Sequence, residues 1–442
     1  MKAGFTFLAV CMLFTAVAAV PFDGWEDTTL AVGNFPLALC YNSQNDRVYC
    51  LSAAETVYVI DGPTDAIIAR VRVGSEPHKL CYNSVDNKVY SSNNWSQNVT
   101  VIDGASNAVV ATVELGQFLF GLCPAPQADK VYCAGPFCDS VFVIDGAGDS
   151  VVARVPAGAG VLVMCYDIHD NRIYCANEGA GTVTAIDCGA DTVIATIPAG
   201  SGPAALCWNS LGNKVYCANA GTTTVTVIDC ATNTVAATLS VGAAPDAVCY
   251  DSTDNRVYCA TRDSGTLVAI DGASDTVVAT IPTGTGTMDV CWSQRHNRVF
   301  TSDHNTADVT VVDCASNTVI ATVPTGDGPN SICYNAQDDK VYTANGNNNS
   351  VTVLYATTGI EEGLKPQATS RKLGATIVRG VLMLGAAGTR QHTAYRAGLL
   401  DIIGRKVMEL RPGANDASRI APGVYFVLAA QTQAVRKVVL QP

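Results

Sequence analysis

Cysteine is the residue whose number and spacing could most readily do chemistry in this chain, with 18 copies in 442 residues. Paired thiols can close disulfides, hold soft metals or act as nucleophiles. Five pairs are ten residues apart: Cys40/Cys50, Cys123/Cys133, Cys165/Cys175, Cys207/Cys217 and Cys249/Cys259. In a hairpin turning five residues after the first cysteine, the two positions would face each other. Cross-strand Cβ atoms lie about 4.5–5.5 Å apart, slightly beyond disulfide range, so these ten are the disulfide candidates. Ser91, Thr301 and Thr343 fill the second position elsewhere. The position therefore asks for a small side chain, which favours buried, reduced thiols. There is no CxxC, no CxxCH and no histidine cluster, so neither a metal site nor a cofactor is expected.

The other reactive residues follow the same rhythm. Aspartate recurs at Asp61, Asp103, Asp145, Asp187, Asp229, Asp271 and Asp313, each before a turn, where a carboxylate accepts backbone N–H groups. Acidic turns such as Asp251–Asn255 lack calcium-loop spacing. No Ser-His-Asp order, HExxH or phosphate loop is present, so no catalytic residue is assigned.

What must position these residues is a repeat. A cysteine, an aromatic and then N-[KR]-V-Y return at Cys40, Cys81, Cys123, Cys165, Cys207, Cys249, Cys291 and Cys333, at spacings of 41 and then six of 42. Each copy reads as four short strands, a to d, rich in β-branched residues and divided by Gly, Asn and Asp. In the fifth copy they are 205–209, 214–219, 224–229 and 235–239. Apolar residues on both faces mean that each sheet stacks between two others, as propeller blades do. The eighth copy has no strand d. Thr29-Leu30-Ala31-Val32-Gly33, ahead of the first anchor, is an unclaimed d-like strand. The expected fold is all-β: an eight-bladed propeller over 28–355, closed by its N-terminal strand.

Val215-Tyr216-Cys217-Ala218-Asn219, Thr224-Val225-Thr226-Val227-Ile228-Asp229 and Thr192-Val193-Ile194-Ala195-Thr196-Ile197-Pro198 resemble the YVTN β-propeller repeat of bacterial and archaeal surface proteins. That resemblance implies the fold and a surface setting but no single activity. Cysteine at the second-strand position departs from the family's usual blade.

The d–a and b–c loops differ most between copies and share one face with the channel mouth. That face supplies the candidate binding residues His78, Trp95, Phe120, Phe137, Asp246, Arg262, Asp263, Met288, Asp303, His304 and Asn330. Variable aromatic and charged side chains on rigid loops are recognition material.

The two ends of the chain speak of destination. Lys2, the apolar run Phe5–Val17 and Ala16-Val17-Ala18 form an export signal over 1–19, whose removal takes Cys11 and leaves 17 cysteines. No later segment is apolar enough to span a membrane as a helix. Residues 356–375 read as a linker and 376–442 as a second β-domain. Asp401, Gly404 and Arg405, then Pro422, Gly423 and Tyr425, then Arg436 and Lys437, resemble the type A sorting domain of the type IX secretion system. That resemblance implies a small C-terminal β-sandwich read by secretion machinery. Net charge is −12, with 12 basic and 5 acidic residues in 357–442 leaving 15 and 34 before them. An acidic body argues against nucleic acid. The expected function is an exported, non-catalytic binding module for a surface protein or glycan. The alternative is a propeller enzyme (lyase, lactonase or redox) with its site at the channel mouth.

Overall fold

The computed structural model describes residues 25–356 and, beyond them, strands 375–378, 381–384, 397–400, 406–410, 413–416, 423–429 and 435–440. The expected signal peptide, the linker segment 357–374 and the motif residues Asp401, Gly404, Arg405 and Pro422 lie outside the described residues. The chain divides into two compact units, Met1–Glu362 and Gly363–Pro442.

The first unit is an eight-bladed propeller of four-stranded antiparallel blades. In the fifth blade the strands are Pro203–Asn209, Lys214–Asn219, Thr224–Asp229 and Thr234–Ser240, in that spatial order. The eighth contains Pro329–Asn335, Lys340–Asn345 and Ser350–Tyr355, and its outer strand is Glu26–Ala31. Leu30 pairs with Val351 and Thr28 with Val353. This pairing satisfies an edge that would otherwise be open.

Turn chemistry sets the hairpins. The a–b turns place Asp46, Asn87, Asp129, Asn171, Asn213, Asn255, Asn297 and Asp339 at positive φ, which Asn and Asp tolerate best after glycine. The recurrent c-strand aspartates cap the next turn: Asp229 Oδ1 accepts from Thr232 N at 2.8 Å and Asp271 Oδ1 from Ser274 N at 2.8 Å.

Each blade buries both faces against its neighbours and is latched to the next by a lysine or arginine that donates to a backbone carbonyl there, in four cases also pairing with an aspartate. Lys88 Nζ donates to Gly146 O at 2.7 Å and pairs with Asp149 at 2.9 Å, while the buried Tyr90 hydroxyl donates to Asp149 Oδ1 at 3.2 Å. Lys340 and Tyr342 repeat the latch across the seam, both onto Asp65. In the seventh blade Phe300 replaces the tyrosine. Its neighbour has no c–d hairpin turn to accept a hydroxyl. Trp25 packs there with Phe300 instead, Arg298 lies 5.4 Å from the Trp25 ring, and Tyr355 N donates to Trp25 O at 2.7 Å.

The expected cysteine facing does not occur. Cys40 pairs with Tyr49, and Cys50 with Leu39. Cys123, Cys165, Cys207 and Cys249 likewise stand opposite Tyr132, Tyr174, Tyr216 and Tyr258. Cys133, Cys175, Cys217 and Cys259 stand opposite Leu122, Met164, Leu206 and Val248. The hairpin partner of an anchor is thus nine residues on, not ten. Neighbouring residues on a strand point to opposite faces, so the sulfurs of each pair are separated by the sheet. All ten are free thiols.

The second unit contains two antiparallel sheets. One orders 375–378, 381–384 and 413–416; the other orders 406–410, 397–400, 423–429 and 435–440. Tyr425 pairs with Val438, Phe426 with Lys437 and Val427 with Arg436.

Candidate functional site

A bulge in the inner strand builds the channel mouth. Register shifts around Leu37, His78, Leu162, Ala204, Asp246, Met288 and Asn330 leave each as an extra, unpaired residue. A bulge re-aims one side chain without unravelling the ladder. Phe120 holds the same repeat position just before strand Gly121–Ala125.

His78 and Phe120, from adjacent blades, have ring centroids 3.4 Å apart. Burial, and then the Lys79 charge, push His78 down to about 4, so it is neutral at pH 7. Its Nδ1 is buried without a hydrogen-bond partner. Opposite, Arg262 Nη1 pairs with Asp246 at 2.8 Å and Arg262 Nε lies 3.6 Å from Asp263. Burial raises Asp246, against the pull of Arg262. Lys79 is exposed, and its charge acts on both Asp246 and Asp289. Asp289 accepts Ser331 Oγ and Ile332 N, each at 3.1 Å, across the junction of the last two blades. Neither Lys79 nor Asp289 was singled out in the sequence. Their signal is the position two before each anchor, where most copies carry a small or apolar residue.

The loop residues of blades two and three form a ridge. Trp95 and Phe137 are the most exposed large apolar side chains among the described residues, at 70% and 79%. Phe118 joins them: its centroid is 6.4 Å from Trp95 and 5.8 Å from Phe137, with planes inclined at 64° and 77°. Phe118 was missed because it lies in a d–a loop two residues ahead of the repeat position. The ridge is anchored by the fully buried Leu119 next to it. A close backbone approach fixes it further: a Cβ at Gly135 would fall 1.8 Å from the Phe118 carbonyl oxygen.

The remaining candidates separate. Asp303 is fully buried and accepts from Thr301, Thr310, Thr287 and Gly284 N, so it braces the blade and does not reach the face. Asn177, Asn219 and Asn345 fill this position elsewhere. His304 is half-buried, with Nδ1 unpartnered. Met288 is 37% exposed. Asn330 donates to Pro36 O at 3.3 Å and helps close the seam. Among the described residues no group of three or more His, Cys, Asp or Glu converges to hold a metal ion. The thiols are poor nucleophiles, since burial lifts Cys40 and Cys50 to about 12.

A model of YNCE-like beta-propellers matches residues 47–252, from the second strand of the first blade to the inner strand of the sixth. The chain is a multi-bladed β-propeller, and over those residues it is similar to the YNCE-like family. No curated protein matches it. Among solved structures, the computationally designed Ika8 protein is 17% identical, with a TM-score of 0.64, over 75% of this chain and 100% of that one. Sqt1 of Saccharomyces cerevisiae is 12% identical, with a TM-score of 0.65, over 75% and 98%. Hydrazine synthase of Kuenenia stuttgartiensis is 16% identical, with a TM-score of 0.54, over 78% and 99%. At such identities the likeness is one of fold.

Proposed function

We propose that this propeller is an exported, non-catalytic binding module that engages a surface partner through the d–a and b–c loop face. The observation that carries the reading is the Trp95–Phe118–Phe137 ridge. Large aromatic side chains held in water on a rigid scaffold gain contact area at little ordering cost when a partner covers them. The absence of a helix long and apolar enough to cross a membrane, among the described residues, is compatible with it.

In this reading the second unit is a β-sandwich of the type IX sorting class, carried for secretion and surface attachment. Its support is the motif set in the sequence and the pairing of Gly423–Ala429 with Val435–Leu440, which brings Tyr425 and Lys437 onto adjacent strands. Intact-mass measurement on protein from the medium and the cell surface tests export: loss of residues 1–19 and of the tail supports it, and a full-length product overturns it.

Arrays of peptides and glycans probed with the wild type and with Trp95→Ala/Phe137→Ala test the binding face. Binding lost in the double variant supports it. Binding that survives there, or turnover at the mouth abolished by Asp246→Asn, favours the enzyme alternative or another face.

A further inference from the structure

We propose that the Trp95–Phe118–Phe137 ridge docks a cationic protein segment, taking lysine or arginine side chains onto its ring faces. The inference rests on the binding-face reading above and assigns the partner's chemistry. Three observations carry it.

The first is ring arrangement. Successive planes inclined at 64° and 77° open two corners, each walled by two rings. A ring face attracts a cation through its quadrupole, and two inclined faces act on the same charge. An aliphatic partner would be better matched by a flat apolar patch.

The second is that these rings are unclaimed. The three cation–π contacts among the described residues place Arg70 over Tyr58, Arg154 over Phe142 and Arg298 over Trp25. None uses the ridge, and Trp95 and Phe137, both strongly exposed, present ring surface to solvent.

The third is charge. Exposed carboxylates flank both ends. At the Trp95 end, Asn94 N bonds Glu76 O and Trp95 N bonds Ser75 O, which seats exposed Glu76 beside the indole loop. At the Phe137 end, Gly160 links two loops, its N bonding Cys138 O and its O accepting Glu178 N. Exposed Glu178 is thereby stitched to the Phe137 loop, which also carries Asp139. Arg154 approaches Asp139 at 3.6 Å with both side chains more than half exposed, a weak screen. In sequence, residues 1–356 hold 15 basic against 34 acidic residues, an acidic excess of the kind that steers a cation inward.

Calorimetric titration of the full chain with hexa-lysine, hexa-arginine, Nε-acetylated hexa-lysine and neutral cellohexaose tests the proposal, using wild type, Trp95→Ala and Phe137→Ala. Both residues are exposed, so unchanged melting temperatures check the fold. The cationic peptides should bind, lysine acetylation should weaken binding at least about ten-fold, and each alanine should cost about 2–5-fold. Raising salt should weaken all cationic binding. If the acetylated peptide or cellohexaose binds as well and equally needs the rings, the cationic assignment falls while the binding face stands. Cationic binding indifferent to both alanines would mean attraction to the acidic body alone and would overturn the ridge as the site. Failure of the cationic peptides to bind would overturn the cationic assignment and leave the binding-face reading to its own test.

Discussion

Replacing Asp308 with asparagine should stabilise the propeller at neutral pH. Asp303 and Asp308 stand opposite each other at the ends of paired strands. Burial, and then the Asp303 charge, raise Asp308 from the usual 3.8 to about 6. A carboxyl with a folded value above its unfolded one binds its proton more tightly in the folded state. Its contribution is therefore greatest below about pH 4 and is lost as pH rises from 4 to 6. Two units are worth at most about 3 kcal/mol. Asp308 keeps some contact with solvent, which reduces this to about 1–2 kcal/mol. Unfolding entropy near 2.1 cal/mol/K per residue, over the roughly 330 residues of the ring, converts that to about 1.5–3 °C. Asparagine can still accept the Thr306 hydroxyl, which lies 3.1 Å from Asp308 Oδ1. Thermal melts followed by circular dichroism from pH 4 to 8 give the difference curve. The variant should match the wild type at pH 4, diverge between 4 and 6, and melt about 1.5–3 °C higher at pH 7. A variant that melts with the wild type or below it at pH 7 would refute the carboxyl-pair argument.

Three further outcomes are expected. Asp167→Asn and Asp251→Asn should each stabilise by about 1–2 kcal/mol in denaturant titrations at pH 7. Both carboxyls are fully buried, raised by burial, and leave Oδ2 without a hydrogen-bond partner, whereas Asn209 at that position donates to the next blade's Asn255 at 2.9 Å. Tyr342→Phe removes the 2.8 Å bond to Asp65 across the seam and should cost about 1.5–3 kcal/mol, as should Tyr216→Phe, which loses 2.6 Å to Asp275. Matching losses in melts would show that the closed ring has no weak joint, and a much smaller loss at Tyr342 would argue against closure there. Native iodoacetamide treatment should leave the 17 propeller cysteines largely unlabelled, while urea exposes all of them to mass-detected alkylation, because burial suppresses the thiolate. Rapid native labelling would contradict that burial.

The blade count and the closing strand were legible because a strand's two-residue period, the Asn/Asp turns and the forty-two-residue spacing are local properties of the chain. Counting eight inner strands against seven outer ones pointed to Leu30 and its neighbours, an unclaimed d-like strand, as the segment that completes the ring. The cysteine facing was not legible to the same accuracy. Hairpin register depends on where Asp46 and its equivalents adopt positive φ, and a one-residue error moves a side chain to the other face of the sheet. Asp303 was misplaced for a related reason: its type suggested a loop surface, but its repeat position is the inward end of a second strand, held by three threonines and a glycine N–H.

The sequence alone determined the repeating unit, its number and the order in which strands pair, since these follow from neighbours along the chain. Tertiary structure alone decided what meets across blades. The aromatic ridge joins Trp95, Phe118 and Phe137 from two different blades, and Phe300 lacks a hydroxyl because Trp25, 275 positions earlier, occupies the place of a turn. Such contacts are fixed by the angle at which one sheet packs on the next, and that angle exists only once the ring has closed.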